Sequence, residues 1–298
     1  MSFQSFHDFV LLESIDIIIA NFDDLNEKQQ PFDIDDESLN EPIAIYVPTF
    51  NIADNNRGRG KHIEWKKMLG DMIDSLKNQT YKNWKLFIVG DNFEPEDDLK
   101  DFLKDKLKPS QYVFWNAPEP YERGKVDPSV LRNSGGAGAN NKAIDMARKE
   151  GYEFFAHIDH DDVWKPEHLE SMMKAFQQDN DIAFGYHRAS RARHKGGGKG
   201  VYYWGAEQPK ATLYTDEIES KIIEAPHSGI FWHGPSVGWP KYRTVPQQRS
   251  EAPKRNRVMG GDEDFIRQCI DGLIKNKKKA VYVPKLLVRL RNSVGKLP

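Results

Sequence analysis

The sequence predicts an α/β fold built on a mainly parallel sheet, and three observations lead to this prediction. Short runs rich in β-branched and aromatic residues recur along the chain, and each is ended by turn-forming residues. Between these runs lie segments in which apolar residues recur at helical spacing. Several runs are apolar throughout, which is typical of strands covered on both faces. The 298 residues suffice for one large domain or two small ones, and the single alternating series favours one.

The alternation opens with a strand, a helix and a second strand. The strands are predicted in "PIAIYVPTF" (42–50) and "WKLFIVGDN" (84–92), with the helix in "HIEWKKMLGDMIDSLKNQ" (62–79). Apolar residues recur on one face of that helix, so it can pack on the sheet and form a βαβ unit. They are Met68, Leu69, Met72, Ile73 and Leu76.

The same alternation continues to the end of the chain. The later predicted elements are a polar helix near 95–107, a strand over 111–116, a helix over 140–151, a strand over 152–159, a helix over 167–178, a strand over 182–189, a helix over 262–275 and a strand over 280–290. "RASRARHKGGGKG" (188–200) is rich in glycine and positive charge and is predicted to be an exposed loop.

The domain boundaries follow from this pattern. Residues 1–41 are predicted to be an N-terminal extension, with a helix in the first 20 residues and then an acidic linker. Residues 42–292 form the main domain, and 293–298 are a tail.

Composition argues against several classes of partner. The formal net charge of −2 provides no basic field for nucleic acid, and no apolar run approaches the ~20 residues of a membrane span. The single cysteine, Cys269, excludes an internal disulfide and a multi-cysteine zinc site, which fits a reducing compartment. The first residues lack the pattern of a secretory signal, so we expect a cytoplasmic protein.

Three aspartates cluster where the strand over 152–159 is expected to end. If the extended geometry persists, Asp159 and Asp161 face one side and His160 the other. Two neighbouring carboxylates repel each other, and oxygen ligands favour Mg²⁺ or Mn²⁺. The alternative is that the aspartates cap the next helix, a role that we expect for Asp162.

The chain resembles the family-2 glycosyltransferases with the GT-A fold, which is an αβα sandwich with a DxD motif at a strand end. The resemblance covers roughly residues 42–292 and rests on six segments in the family's order. They are "IAIYVPTFN", "SLKNQTYKNWKLFIVGDN", "GGAGANNKAIDMA", "FFAHIDHDDVWKPEHLESM", "GGDEDFIRQ" and "VPKLLVRLRNS".

The resemblance implies a nucleotide-diphospho-sugar donor, most often a UDP-sugar, and a divalent metal. Asp159 would lie near the ribose and the metal, Asp161 would bind the metal that bridges the phosphates, and Asp91 would accept a hydrogen bond from the base. Gly90 departs from the family, which often has an acidic residue there. The other residues that would border the nucleotide sugar are Pro48, Thr49, Phe50, Asn51, Arg132, Gly138 and His160.

A carboxylate at the start of the helix over 262–275 would be the general base of an inverting transfer. Alignment on the apolar pair after it selects Asp262, whereas alignment on the "ED" dipeptide selects Asp264. Plain capping of the helix by these acidic residues is the alternative.

The sequence says little about the acceptor, which we expect to be a glycan or another hydroxyl compound. Aromatic residues here suit either a sugar platform or core packing, and His227 and His233 suit either metal ligation or structural hydrogen bonds. Two other functional classes stay open, a metal-dependent phosphohydrolase and a non-catalytic carbohydrate- or nucleotide-binding module. The aromatic residues are Tyr202, Tyr203, Trp204, Trp232 and Trp239.

Overall fold

The structure is a computed structural model, and it describes residues 20–21, 40–51, 65–127, 131, 136–192, 201–204, 227–243 and 261–291. The helix predicted in the first 20 residues, the glycine-rich part of the loop at 193–200 and the tail at 293–298 lie outside these residues.

One sheet organises the described part of the chain. Its strands are β1 (Ala20–Asn21), β2 (Ile43–Thr49), β3 (Trp84–Gly90), β4 (Tyr112–Asn116), β5 (Phe154–His157), β6 (Val163–Trp164), β7 (Ile182–Ala192), β8 (Val201–Trp204), β9 (Phe231–His233) and β10 (Lys279–Leu290). The order is β1-β10-β7-β9-β5-β2-β3-β4, with β6 paired to β10 and β8 paired to β7.

The sheet is mainly parallel, as the sequence predicted. Strands β4, β3, β2 and β5 are parallel neighbours, and so are β7, β10 and β1. The short strand β9 joins these two halves, because it pairs antiparallel with both β5 and β7. The carboxyl ends of the parallel strands therefore meet along one edge of the sheet.

Helices cover both faces of the sheet, which confirms the αβα sandwich. They are α1 (Trp65–Lys77), α2 (Glu96–Lys106), α3 (Ala137–Lys149), α4 (His168–Gln177), α5 (Gly234–Val237) and α6 (Gly261–Asn276). Alternation along β2 sends Ile43, Ile45 and Val47 into the core under α1, α2 and α4. Ala44 and Tyr46 face the opposite core, with residues of α3 and α6.

Two predicted boundaries near the sheet edge are wrong. β5 ends at His157, two residues before Asp159, so the strand does not reach the aspartate cluster. β7 continues to Ala192, so residues 188–192 are strand and not loop. The reason is pairing, since β10 and β8 flank this part of β7 and supply backbone partners on both sides.

Within the part of the chain that the structure describes, no helix has both the length and the apolar character needed to cross a bilayer.

Candidate active site

The aspartate cluster forms a turn at the carboxyl edge of the sheet. The amide of Asp162 donates to the carbonyl oxygen of Asp159 at 3.1 Å, which closes the turn just beyond β5. The prediction that Asp159 and Asp161 face one side assumed an extended segment, and the turn removes that assumption.

His160 lies against the segment that follows β2. Its Nδ1 is 3.3 Å from the carbonyl oxygen of Pro48, and its ring meets that of Phe50 edge-on at 5.2 Å between centroids. Hence His160 belongs to the side of the site where β2 and β3 end.

Two distant segments hold the turn in place. The Ser228 hydroxyl donates to Asp162 Oδ2 at 2.7 Å, and the Arg291 amide donates to Asp162 Oδ1 at 2.8 Å. Arg291 Nε also donates to the carbonyl oxygen of Asp161 at 2.7 Å. Asp162 is therefore a structural anchor. The prediction that it caps the next helix is wrong, because Glu167 is the N-cap of α4 and makes no side-chain capping bond.

A mixed group of imidazoles and carboxylates lies beside this turn. His157 Nε2 is 3.2 Å from Asp159 Oδ1, and ligand-capable atoms of His157, Asp159 and His227 lie within 4.8 Å of one another. Asp161 is not a member of this group. His227 Nδ1 lies 3.6 Å from Asp262 Oδ1, so His227 stands between the aspartate turn and the start of α6.

The carboxyl groups of the site differ in the direction in which their pKa is shifted. Burial acts to raise the pKa of Asp159, but the hydrogen bond and charge of His157, with His227 and His160, hold that pKa below its usual range. Burial raises the pKa of Asp161, with repulsion from Asp159 adding to the effect and His160 opposing it. Asp159 is thus the carboxylate that is most firmly ionised.

Asp262 and Asp264 have different surroundings at the start of α6. Asp264 is buried and accepts hydrogen bonds from Gln268 Nε2 at 2.9 Å and Arg243 Nε at 3.1 Å. Asp262 is 62 % exposed and faces the site. Desolvation by the surrounding chain raises the pKa of Asp262 to about 7, with repulsion from Asp159 and Glu263 adding to it. Water around the exposed side chain screens part of this effect.

Asp91 is held by a loop that the sequence did not single out. Its Oδ1 accepts the amide of Tyr121 at 2.6 Å, and its Oδ2 accepts Arg123 Nε at 3.0 Å. The Arg123 guanidinium also lies 5.6 Å from the centre of the Phe50 ring. Asp91, Arg123 and Phe50 therefore form one cluster where β2 and β3 end.

Gly138, which the resemblance places beside the nucleotide sugar, is also required by packing. A Cβ there would lie 2.4 Å from the Tyr121 ring. The Gly138 amide donates to Glu122 Oε1 at 2.8 Å, which fixes the start of α3 against the 121–123 loop. Gly90 is similar, because a Cβ would lie 2.2 Å from Asn116 Oδ1, so the acidic residue of the family has no room here.

The remaining predicted residues divide into three groups. Thr49 is buried, and Asn51 Nδ2 donates to the carbonyl oxygen of Glu94 at 2.7 Å, a local structural contact. Arg132 lies outside the described residues, as do the side chains of Tyr202, Tyr203 and Trp204. Trp232 is a fully buried core residue and Trp239 is half-buried against it.

His233 lies at the other end of β5 from the aspartates, because it pairs with Phe154. It contacts Ser236 Oγ at 2.7 Å and Glu153 at 3.4 Å. Its role in the described structure is therefore structural, in line with the second of the two alternatives that the sequence left open.

Sequence reasoning missed four residues that complete this site. His157, Arg123, Ser228 and Tyr242 reach it from a strand, a turn, a 3₁₀ helix and a loop that are far apart in the chain. His157 was the one with a local signal, because a histidine two positions before an aspartate in an extended segment shares its face.

Comparisons with known sequences agree with this geometry. The family model described as glycosyl transferase family 2 matches residues 45–216, more than half of the chain. The chain is 32 % identical over 124 residues to the uncharacterized glycosyltransferase R139 of Acanthamoeba polyphaga mimivirus, which is 42 % of this chain and 50 % of R139. It is 24 % identical over 183 residues to TuaG of Bacillus subtilis, a putative teichuronic acid biosynthesis glycosyltransferase, which is 61 % of this chain and 58 % of TuaG. The chain thus spans about half the length of these curated relatives.

Solved structures share the fold. The crystal structure of S. aureus TarS 1–349 superposes with a TM-score of 0.52 at 14 % identity, covering 83 % of this chain and 59 % of that one. The complex of the same segment with UDP-GlcNAc superposes with a TM-score of 0.53 at 13 % identity, covering 85 % and 60 %. The fold is that of a GT-A glycosyltransferase. The family model matches more than half of the chain, and the motifs follow in the family's order. The chain therefore belongs to glycosyl transferase family 2.

Proposed function

We propose that the protein is an inverting, metal-dependent glycosyltransferase that moves a sugar from a UDP-sugar to a hydroxyl group of a glycan or another acceptor. The observation that carries the proposal is the placement of four carboxylates, from three segments of the chain, on one edge of the sheet. Asp91 follows β3, Asp159 and Asp161 follow β5, and Asp262 opens α6. Ligands of open parallel sheets bind at this edge.

The donor base is assigned to the cluster of Asp91, Arg123 and Phe50. A carboxylate accepts hydrogen bonds, and each oxygen of Asp91 retains a lone pair beyond its present contact, so it can accept the imide N–H of uracil. Arg123 supplies N–H donors for the base carbonyl groups. The half-buried Phe50 ring offers an apolar face. The binding of UDP and UDP-GlcNAc by S. aureus TarS, which shares the fold, supports this choice of donor.

The residues present fit a divalent cation. Asp159 is held ionised, and Asp161 lies two residues further along the same turn, so both offer oxygen ligands for Mn²⁺ or Mg²⁺. The cation would neutralise charge that grows on the departing diphosphate. Arg291 and Ser228 keep the turn in position for that ligation through their bonds to Asp161 and Asp162.

Asp262 is assigned as the general base. It would take the proton of the acceptor hydroxyl while that oxygen bonds to the anomeric carbon and the bond from the same carbon to the diphosphate oxygen breaks. Attack opposite the leaving group inverts the configuration, so an α-linked donor gives a β-linked product. Asp264 is a poor base in comparison, because Arg243 and Gln268 already engage it.

A binding screen and two variants test this function. We expect Mn²⁺ with UDP to raise the melting temperature, and Asp161→Ala to abolish that metal-dependent shift. Asp262→Asn keeps the shift but lowers sugar transfer by about 100-fold or more, because it removes the base. Asp101→Asn, an exposed carboxylate on α2, is the matched control and changes neither.

Three results would contradict the proposal. One is the lack of a shift with any nucleoside diphosphate or nucleotide sugar, with or without metal. Another is transfer at the parent rate by Asp262→Asn, which would show that Asp262 is not the base. Release of phosphate without any sugar acceptor would indicate a phosphohydrolase instead.

A further inference from the structure

A chain of buried hydrogen bonds ends on His227. Trp232 Nε1 lies 3.4 Å from the Tyr46 hydroxyl, which lies 2.9 Å from the Tyr242 hydroxyl. The Tyr242 hydroxyl in turn contacts His227 Nε2. Tyr46 and Trp232 have no exposed surface, and Tyr242 is 3 % exposed, so bulk water does not reach these groups.

The chemistry of Trp232, the first member of this hydrogen-bond chain, sets the direction in which each group donates. An indole N–H donates and cannot accept, so the Tyr46 oxygen accepts from Trp232. Among the described residues, the Tyr242 oxygen is the acceptor that remains within reach of the Tyr46 proton. Tyr242 then has its own proton left, and it donates that proton to His227 Nε2.

The reverse direction leaves a buried donor unpaired. If His227 Nε2–H donated to Tyr242, Tyr242 would donate to Tyr46, and the Tyr46 proton would face another donor, Trp232. A buried polar hydrogen without an acceptor is unfavourable, so the forward direction is preferred.

We infer that Trp232, Tyr46 and Tyr242 fix His227 as its Nδ1–H tautomer, so that His227 acts as a positioning residue which donates to the Asp262 carboxylate. The distance of 3.6 Å from Nδ1 to Asp262 Oδ1 is long for a hydrogen bond, and such contacts often shorten when substrates bind. The inference rests on the proposed role of Asp262 as the base.

Two further observations agree with this assignment. Burial, with the neighbouring His157, keeps the pKa of His227 well below its usual value, so the ring is neutral and one tautomer must be chosen. Burial also raises the pKa of Tyr46 and of Tyr242, so both hydroxyl groups keep their protons.

The surrounding packing holds Tyr242 rigidly. Its ring stacks on Phe265 of α6 at 4.1 Å between centroids. Its backbone exchanges two hydrogen bonds with the Asn141 side chain of α3, at 2.8 and 2.7 Å. The end of the hydrogen-bond chain is therefore tied to the helix that carries Asp262.

In the Nδ1–H tautomer, His227 is not a metal ligand. Its Nε2 lone pair is occupied by the Tyr242 proton and its Nδ1 carries a proton, so neither nitrogen has a lone pair for a cation. Although His227 lies close enough to His157 and Asp159 to share an ion, it then binds none. Metal ligation stays with the aspartates.

Long-range ¹H–¹⁵N correlation spectra of the protein with ¹⁵N-labelled histidine report the tautomer directly. We expect the Nδ1–H form for His227 in the parent and a mixture of forms in Tyr242→Phe, which removes only the hydroxyl group. Tyr186→Phe removes a buried hydroxyl that has no partner among the described residues, and it leaves the His227 signals unchanged. An Nε2–H form in the parent overturns the inference.

Kinetics adds a readout that a merely structural role would not give. The amide of His227→Asn can place a donor near the Nδ1 position, whereas His227→Gln places it near Nε2. We expect His227→Asn to keep kcat within about threefold and His227→Gln and Tyr242→Phe to lower kcat about tenfold, with the KM for the donor unchanged.

The outcomes distinguish the two proposals. Equal kcat values for His227→Asn and His227→Gln, in an enzyme that binds UDP and transfers sugar, overturn the inference and leave the proposed function standing. If the parent neither binds UDP nor transfers sugar, the proposed function fails, and the role of His227 in positioning a base fails with it. The spectra still decide the tautomer in that case.

Discussion

Two pairs of buried histidines in this molecule have the same side chains and opposite surroundings. The rings of His157 and His227 lie 3.8 Å apart between centroids, tilted by 42°, beside Asp159 and Asp262 at the carboxyl edge of the sheet. His168 and His187 meet at 4.7 Å under Trp164, in the core. Among the described residues, both ring nitrogens of His168 and Nε2 of His187 have no hydrogen-bond partner.

The difference teaches what makes a buried histidine functional here. In the first pair each ring can direct an N–H group at a carboxylate of the site, so burial orients a donor. In the second pair no carboxylate contributes to the pKa of either ring. Burial then only keeps the rings neutral, and the second pair affects stability rather than chemistry.

The largest expected effect that separates the pairs is a loss of stability in acid. Burial lowers the pKa of His187 to about 4, so between pH 6.5 and 4 the unfolded chain binds a proton that the folded chain does not. The free energy of unfolding therefore falls as pH falls, by about 3 kcal/mol over this window for His187. His168, whose pKa burial also lowers, adds to the loss.

His187→Asn tests this pH dependence. The asparagine keeps a donor near the Nδ1 position, which contacts the carbonyl oxygen of Arg188 at 2.9 Å, and removes the titrating ring. Urea unfolding at several pH values should show the slope of the variant reduced by up to about 1.4 kcal/mol per pH unit. Parallel curves for parent and variant would mean that His187 is already protonated, or reached by water, in the folded protein.

The sequence predicted the regular part of the fold because that part depends on local patterns. The apolar run of β2 and the helical spacing of α1 are visible without neighbours, and the structure confirms both elements. β9 was not predicted because its three residues become a strand only between β5 and β7, which pair with it on either side. The length of β7 likewise depends on its partners.

Site residues were predicted where charged residues interrupt an apolar run. Site residues that come from distant parts of the chain were not predicted. Asp159 and Asp161 stand out beside "FFAH" in the sequence. Ser228 and Arg291 have no local signal, because their function is to hold Asp162 in a turn that exists only in the folded chain.

The next effect in size comes from truncating the core pair. His168→Ala removes the ring that stacks on Trp164 at 3.9 Å, and we expect a loss of about 2–3 kcal/mol in the free energy of unfolding from the cavity. His168→Leu fills most of that volume and removes the unpartnered nitrogens, so it should be nearly neutral. Denaturant unfolding of both variants measures this, and sugar transfer at 25 °C should persist in His168→Leu. If leucine were as damaging as alanine, His168 would be making a polar interaction that burial conceals.

The smallest effect is expected at His233, a histidine that belongs to neither pair. It lies at the far end of β5 and is 22 % exposed, with contacts to Ser236 and Glu153. His233→Gln should change the free energy of unfolding by less than about 1 kcal/mol, since exposed polar contacts contribute little. Metal-dependent binding of UDP and the transfer rate should equal those of the parent, as measured by thermal shift and initial rates. A loss of metal binding in this variant would show that a histidine far from the aspartates affects the cation. Carboxylate neighbours would then no longer explain which histidines belong to the site.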